Sequence, residues 1–114
     1  MEITMCRGDI HSLSFHFILN GERYSDTPDD IFFTVKKNYN NRVPIFQKRL
    51  SDGTIEYDGN GTYRIQIEPE DTQSLQFGEY DFDIEIVSLP SIKKTFNGKL
   101  ILEKESTHYY NEEE

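Results

Sequence analysis

Asp81, Asp83 and Glu85 fall at every second position of one segment. On a β-strand this spacing puts all three carboxylates on one face. Hard cations such as calcium bind oxygen clusters of this kind. Alternate residues on a strand stand about 7 Å apart, however, so an ion would need further ligands from elsewhere in the chain. The competing reading is a solvated face whose acids pair with Lys93, Lys94, Lys99 or Arg64 on neighbouring strands. That reading carries more weight, and no metal ligand is assigned. Asp58-Gly59-Asn60-Gly61 faintly resembles a calcium loop but lacks the further spaced acids and the closing Glu, so it reads as a glycine-rich hairpin.

Arg7-Gly8-Asp9 is a tripeptide that integrins read on exposed loops, but three residues match often by chance, so the signal is weak, and a turn leading into the first long strand accounts for Gly8. Asn60-Gly61-Thr62 matches the glycosylation pattern, which matters only on a eukaryotic secretory route. Cys6 lies near His11 and His16 in sequence, but the two histidines fall on different strand faces. There is no nucleophile elbow, no histidine pair at helical spacing and no glycine-rich phosphate loop. The expected site assignment is therefore empty: no catalytic, cofactor-binding or metal residues, and no cofactor. Tyr24, Tyr39, Tyr57, Tyr109 and Tyr110 fall in expected turns, edges or the tail. Tyrosines there suit a recognition surface and suit equally the capping of core edges, and the sequence leaves both readings open.

The elements that must position these residues are strands. In His11 to Leu19, the apolar Leu13, Phe15, Phe17 and Leu19 alternate with Ser12, Ser14 and His16, followed by an Asn20-Gly21 turn. Ile31 to Lys37, Pro44 to Leu50, Thr54 to Tyr57 and Thr62 to Glu68 read as further strands. Pro44 has no N–H to donate, so its strand starts there or lies at an edge. Glu70 to Leu75 suits a single helical turn. Tyr80 to Val87 has the cleanest alternation, with Tyr80, Phe82, Ile84 and Ile86 inward and Asp81, Asp83 and Glu85 outward. Leu89-Pro90-Ser91 turns the chain into Phe96 to Glu103, with Phe96, Leu100 and Leu102 inward. About seven short strands at regular spacing, without a clear helix, point to an all-β sandwich or barrel, and an immunoglobulin-like antiparallel sandwich is the expected fold. Its expected core includes Phe15, Phe17, Phe33, Val35, Tyr63, Ile65, Phe82, Ile84 and Leu100. The domain spans 1–104, and the acidic segment 105–114 is expected to be a flexible tail.

Composition agrees. The 114 residues suit one domain. Ala, the best helix former, is absent. Eight Phe and seven Tyr can fill a small core. Twelve basic against 21 acidic residues give a net charge of −9, which disfavours a phosphate backbone as partner. The lone Cys6 excludes an intrachain disulfide and fits a reducing compartment. Met1 to Cys6 has no basic n-region, and Ser12, Ser14 and His16 break the apolar stretch after it, so neither a signal peptide nor a membrane span is expected.

Three segments together carry a resemblance. They are Arg7-Gly8-Asp9 with Leu13 to Phe17; Ile31-Phe32-Phe33-Thr34-Val35-Lys36-Lys37; and Ile65 to Ile86, including Pro69-Glu70-Asp71-Thr72, Leu75, Gly78, Tyr80, Asp83 and Ile84. In this order they resemble small immunoglobulin-like domains of phage and prophage tail and baseplate modules, in particular the N-terminal domain of upper baseplate proteins. The resemblance spans roughly residues 3 to 103. Leu75-Gln76-Phe77-Gly78-Glu79-Tyr80 also resembles the corner before a late strand of such domains, where a tyrosine hydroxyl bonds back to the backbone; Tyr80 would take that role.

The resemblance implies a non-catalytic structural protein of a virion tail or baseplate, made in the bacterial cytoplasm. Its partners would be other virion proteins or copies of itself, with no nucleic acid and no membrane. Exposed strand edges would make the contacts. Two other classes remain in view. An acidic inhibitor that mimics nucleic acid would carry a contiguous acidic surface. A carbohydrate-binding or adhesion module would carry an aromatic platform, against which the lack of Trp counts.

Overall fold

The computed structural model describes residues 1–19, 21–23, 28–88 and 92–104. Within them the chain forms β1 (Glu2–Cys6), β2 (His11–Phe15), β3 (Ile18–Leu19), β4 (Glu22–Arg23), β5 (Asp30–Lys36), β6 (Phe46–Arg49), β7 (Ile55–Gly59), β8 (Thr62–Ile67), a single helical turn α1 (Pro69–Thr72), β9 (Gly78–Ser88) and β10 (Ile92–Glu103). One sheet has the order β1-β10-β9-β5-β6 and the facing sheet β2-β8-β7, while β3 and β4 form a separate small hairpin. This is an immunoglobulin-like sandwich.

The alternation within each strand decides which face is buried. Ile31, Phe33 and Val35 of β5, Tyr80, Phe82, Ile84 and Ile86 of β9, and Leu100 and Leu102 of β10 face Ile55, Tyr63, Ile65 and Ile67 of the opposite sheet in one core. Each such side chain contributes roughly 1.5–3 kcal/mol when fully buried. Of the expected core, only Phe15 stays half-exposed. It packs against the core from the flank, its ring stacked on Tyr63 with centroids 5.9 Å apart.

Three features differ from expectation. First, Glu2–Cys6 is a strand, and it pairs with β10 in parallel, Glu2 opposite Lys99 and Cys6 opposite Glu103. The sandwich is therefore not wholly antiparallel, and ten strands are formed among the described residues. Second, His11 to Leu19 is not one strand. It breaks at His16-Phe17, which turns Phe17 into the core against Phe96, 5.5 Å between ring centroids. Third, Asp81 does not face solvent but is buried. The expected turn at Leu89-Pro90-Ser91, Asn20 of the Asn20-Gly21 turn and the segment 105–114 lie outside the described residues.

Gly98 on β10 stands directly opposite Phe82 on β9. A Cβ added there would lie 2.4 Å from Phe82 Cζ and 2.6 Å from the Met1 carbonyl oxygen. The absent side chain is what lets the Phe82 ring lie flat in the core and lets β1 close on β10.

Candidate functional site

Two surfaces of the sandwich have the shape and chemistry of binding sites. The first is a polar cleft of about 350 Å³ on the outer face of the five-stranded sheet, lined by Phe32, Thr34, Lys36, Gln47, Asp83 and Glu85, with Arg42 and Pro44 at its rim. Strands β5, β6 and β9 supply its floor through their outward-facing positions. The Gln47 amide donates to Thr34 Oγ1 (2.9 Å), and the Arg49 guanidinium lies over the Phe32 ring at 4.7 Å. Partial burial pushes the Asp83 carboxyl above the ordinary carboxylate range; Lys36 pulls it back and Glu85 adds to the rise.

The carboxylate row is thus divided. Asp83 and Glu85 line the cleft, whereas Asp81 is committed to structure. It accepts from the Lys99 ammonium at 2.5 Å and from the Tyr39 backbone N–H at 2.9 Å. The Tyr39 hydroxyl in turn donates to the Gly98 carbonyl at 3.0 Å. The loop after β5 is therefore pinned down over Asp81. Lys99 pairs with the row as expected, and its ammonium is held above the usual lysine range by the hydrogen bond to Asp81. Arg64 does not pair with the row: it lies in the other sheet and bonds Glu56. Lys93 and Lys94 stand opposite Val87 and Ile86, beyond the carboxylates. No group of three or more His, Cys, Asp or Glu among the described residues is arranged to hold a metal ion.

The second surface is the flank where β2 forms one edge of the three-stranded sheet. Beside it runs an apolar groove of about 250 Å³, lined by Met1, Phe15, Phe17, Ile18, Ile84 and Phe96, with His16 at its side. Ile10, just before β2, and Ile18, just after it, are 61% and 59% exposed. β2 itself, His-Ser-Leu-Ser-Phe, carries no Asp, Glu, Lys or Arg.

The remaining sequence candidates serve the fold. Arg7-Gly8-Asp9 joins β1 to β2 and is clamped against α1. The Arg7 guanidinium donates to the Leu75 carbonyl (3.1 Å) and lies over Phe77, and the Gly8 N–H donates to the buried Thr72 hydroxyl (2.9 Å). Asp58-Gly59-Asn60-Gly61 is the β7–β8 hairpin, with φ of 97°, 53° and 76° at Gly59, Asn60 and Gly61, a left-handed path that glycine and asparagine allow. Asn60 of Asn60-Gly61-Thr62 sits at its tip, its carbonyl accepting from Arg23. Tyr57 braces the same hairpin, its hydroxyl accepting from the Gly61 N–H at 3.1 Å. Tyr80 makes the expected corner bond, hydroxyl to the Gln76 carbonyl at 2.7 Å. Cys6 ends β1, His11 opens β2 and His16 lies beside the apolar groove, so the three form no nucleophile–base arrangement. Tyr24, Tyr109 and Tyr110 lie outside the described residues.

Sequence reasoning did not find Ile10 or the groove. Ile10 stands outside every alternation, immediately before the first long strand, and that displacement was the available signal.

No protein-family profile matches the chain, and no curated protein matches it. Among solved structures, it is similar to one from Bacteroides vulgatus described as a "putative glycoside hydrolase", with 18% sequence identity and a TM-score of 0.45. The match covers 94% of this chain and 17% of that protein. No helix among the described residues is long and apolar enough to cross a membrane.

Proposed function

We propose that this chain is a non-catalytic assembly module of a phage or prophage tail or baseplate, acting through protein–protein contacts. The observation that supports contact as its mode of action is the β2 flank: an open, uncharged strand edge beside an apolar groove and two exposed isoleucines. Soluble proteins blunt open edges with charge. Here Lys48 and Arg49 stand on β6, Glu56 and Asp58 on β7 and Glu2 on β1, and β2 is left bare. Such an edge accepts a further strand through main-chain hydrogen bonds. The setting within a virion rests on the segment resemblance alone. Mass spectrometry of purified particles from the source phage or induced prophage tests it. The chain is expected in intact particles; its presence in infected cells but not in particles would refute the virion setting.

The outer-face cleft favours a second reading, a module that binds a polar ligand at a surface. Lys36, Arg42 and Gln47 can donate and Asp83 and Glu85 can accept, which suits a hydroxyl-rich molecule. Chemical-shift perturbation at Asp83 and Gln47 during titration with a panel of oligosaccharides would support it, and no response at millimolar concentration would remove it.

A further inference from the structure

We infer that the outer-face cleft takes a single saccharide unit bearing both a free amine and a carboxylate, the amine on Asp83 and Glu85 and the carboxylate on Lys36 and Arg42. This rests on the second reading above and deepens it by naming the class of polar ligand.

The register of the sheet leaves the two cleft carboxylates without a cation across either strand. Asp83 stands between Asn97 of β10 and Thr34 of β5, and Glu85 between Thr95 and Phe32. Asp81, on the same strand, stands opposite Lys99 and is bonded to it. Lys36 and Arg42 line the same cleft as Asp83 and Glu85, yet among the described residues neither forms an ion pair with either carboxylate. Lys36 is near enough to pull the Asp83 carboxyl down, but burial outweighs it and leaves the group above its ordinary range. Both signs of charge thus face one cavity without cancelling each other. A ligand of one sign would satisfy one pair and be repelled by the other, whereas a ligand with both signs satisfies each.

The floor of the cleft asks for hydroxyls. Thr34 lies there only 7% exposed, and its Oγ1 accepts from the Gln47 amide at 2.9 Å. Its own hydroxyl proton has no acceptor among the described residues, so it is a donor held ready for a ligand oxygen. Phe32 and Pro44 add apolar wall. A cleft of about 350 Å³ is at the small end of ligand pockets, which suits one ring rather than a longer chain.

Titration of the full chain at about pH 6, followed by the NMR shifts of Asp83 and Gln47, tests this with five probes. Muramic acid carries both charges on one ring, glucosamine the amine alone, glucuronate the carboxylate alone and glucose neither; glycine carries both charges without the ring. Muramic acid should bind roughly ten- to a hundredfold more tightly than each of the others, the usual effect of losing a charged hydrogen bond. The Asp83 carboxyl should titrate lower in its complex, because a neighbouring ammonium favours the ionised form. Asp83→Asn should erase the preference for muramic acid over glucuronate, and Arg42→Gln the preference over glucosamine. Glu85→Gln reads the amine side again should Asp83→Asn fail to fold. Glucose binding as tightly as muramic acid would overturn the charge assignment and spare the hydroxyl-ligand reading. Glycine binding as tightly, or no response to any probe at millimolar concentration, would remove both. A well-folded D83N that still prefers the amine would also overturn the inference.

Discussion

The Phe82 ring occupies the space that a side chain at Gly98, its cross-strand neighbour, would need. One residue of the pair is a large aromatic filler and the other has no side chain, so the two act as one packing unit. A methyl at Gly98 cannot be relieved by a rotamer change alone, because the Met1 carbonyl closes the other side at 2.6 Å. Gly98→Ala should therefore destabilise the domain by about 1–3 kcal/mol, the usual range for overpacking. Urea denaturation measures it, and a variant as stable as the parent would mean that β1 does not close on β10 as described.

Phe82→Ala should be among the most damaging substitutions. Phe82 is buried in the centre of β9 and contacts Phe33 at 5.3 Å between ring centroids. Truncation of a buried Phe removes about 3–5 kcal/mol, a large part of the roughly 5–15 kcal/mol available to a small domain. A loss under about 1 kcal/mol would show the register of β9 to be wrong. The double variant with Gly98→Ala should lose less than the two single losses combined, since the added methyl would enter the space the ring leaves.

Tyr80→Phe isolates the corner. The ring stays and only the hydroxyl bond to the Gln76 carbonyl goes, so about 0.5–1.5 kcal/mol should be lost. Equal stability of the two proteins in guanidinium would assign Tyr80 a packing role only.

Asp30 and Asp83 should respond to pH in opposite senses. Burial raises the Asp30 carboxyl, but hydrogen bonds from Ser51, Arg49 and Ile31 outweigh it and hold the group below 3.8. Its contribution is therefore complete above about pH 4 and is lost as pH falls through the lowered value. Asp30→Asn should flatten the acid limb of the stability curve. Asp83 is raised, with burial as the first cause, so its ionised form weakens the fold at neutral pH and that penalty disappears as pH falls below 3.8. Asp83→Asn should leave the protein at least as stable at pH 7. Thermal unfolding between pH 2 and 7 checks both; a destabilised Asp83→Asn would show that the carboxylate has a structural partner.

How far the sequence is legible depends on whether a signal is local. The alternation of Tyr80, Phe82, Ile84 and Ile86 foretells β9 and its buried face, because strand period and burial coincide within eight residues. The single helical turn and the Tyr80 corner are likewise local. β1 was not legible: five residues that include Met and Cys carry little strand signal, and a parallel partner at the far end of the domain leaves no turn to mark it. Asp81 misled for the same reason. Its spacing matches that of Asp83 and Glu85, but it is buried by Tyr39, which arrives from another loop. The β2 flank was half legible. Its alternation was plain, while its place at an open edge is a property of topology alone.

The parallel pairing of β1 with β10 also orders events in time. During synthesis β1 leaves the ribosome almost a whole domain ahead of β10, the strand it pairs with among the described residues. It must wait, unpaired, until β10 follows, and closing so long a loop is slow. In stalled nascent chains of increasing length, β1 should stay open to protease until β10 has emerged. Early protection would mean that β1 first shelters against some other strand.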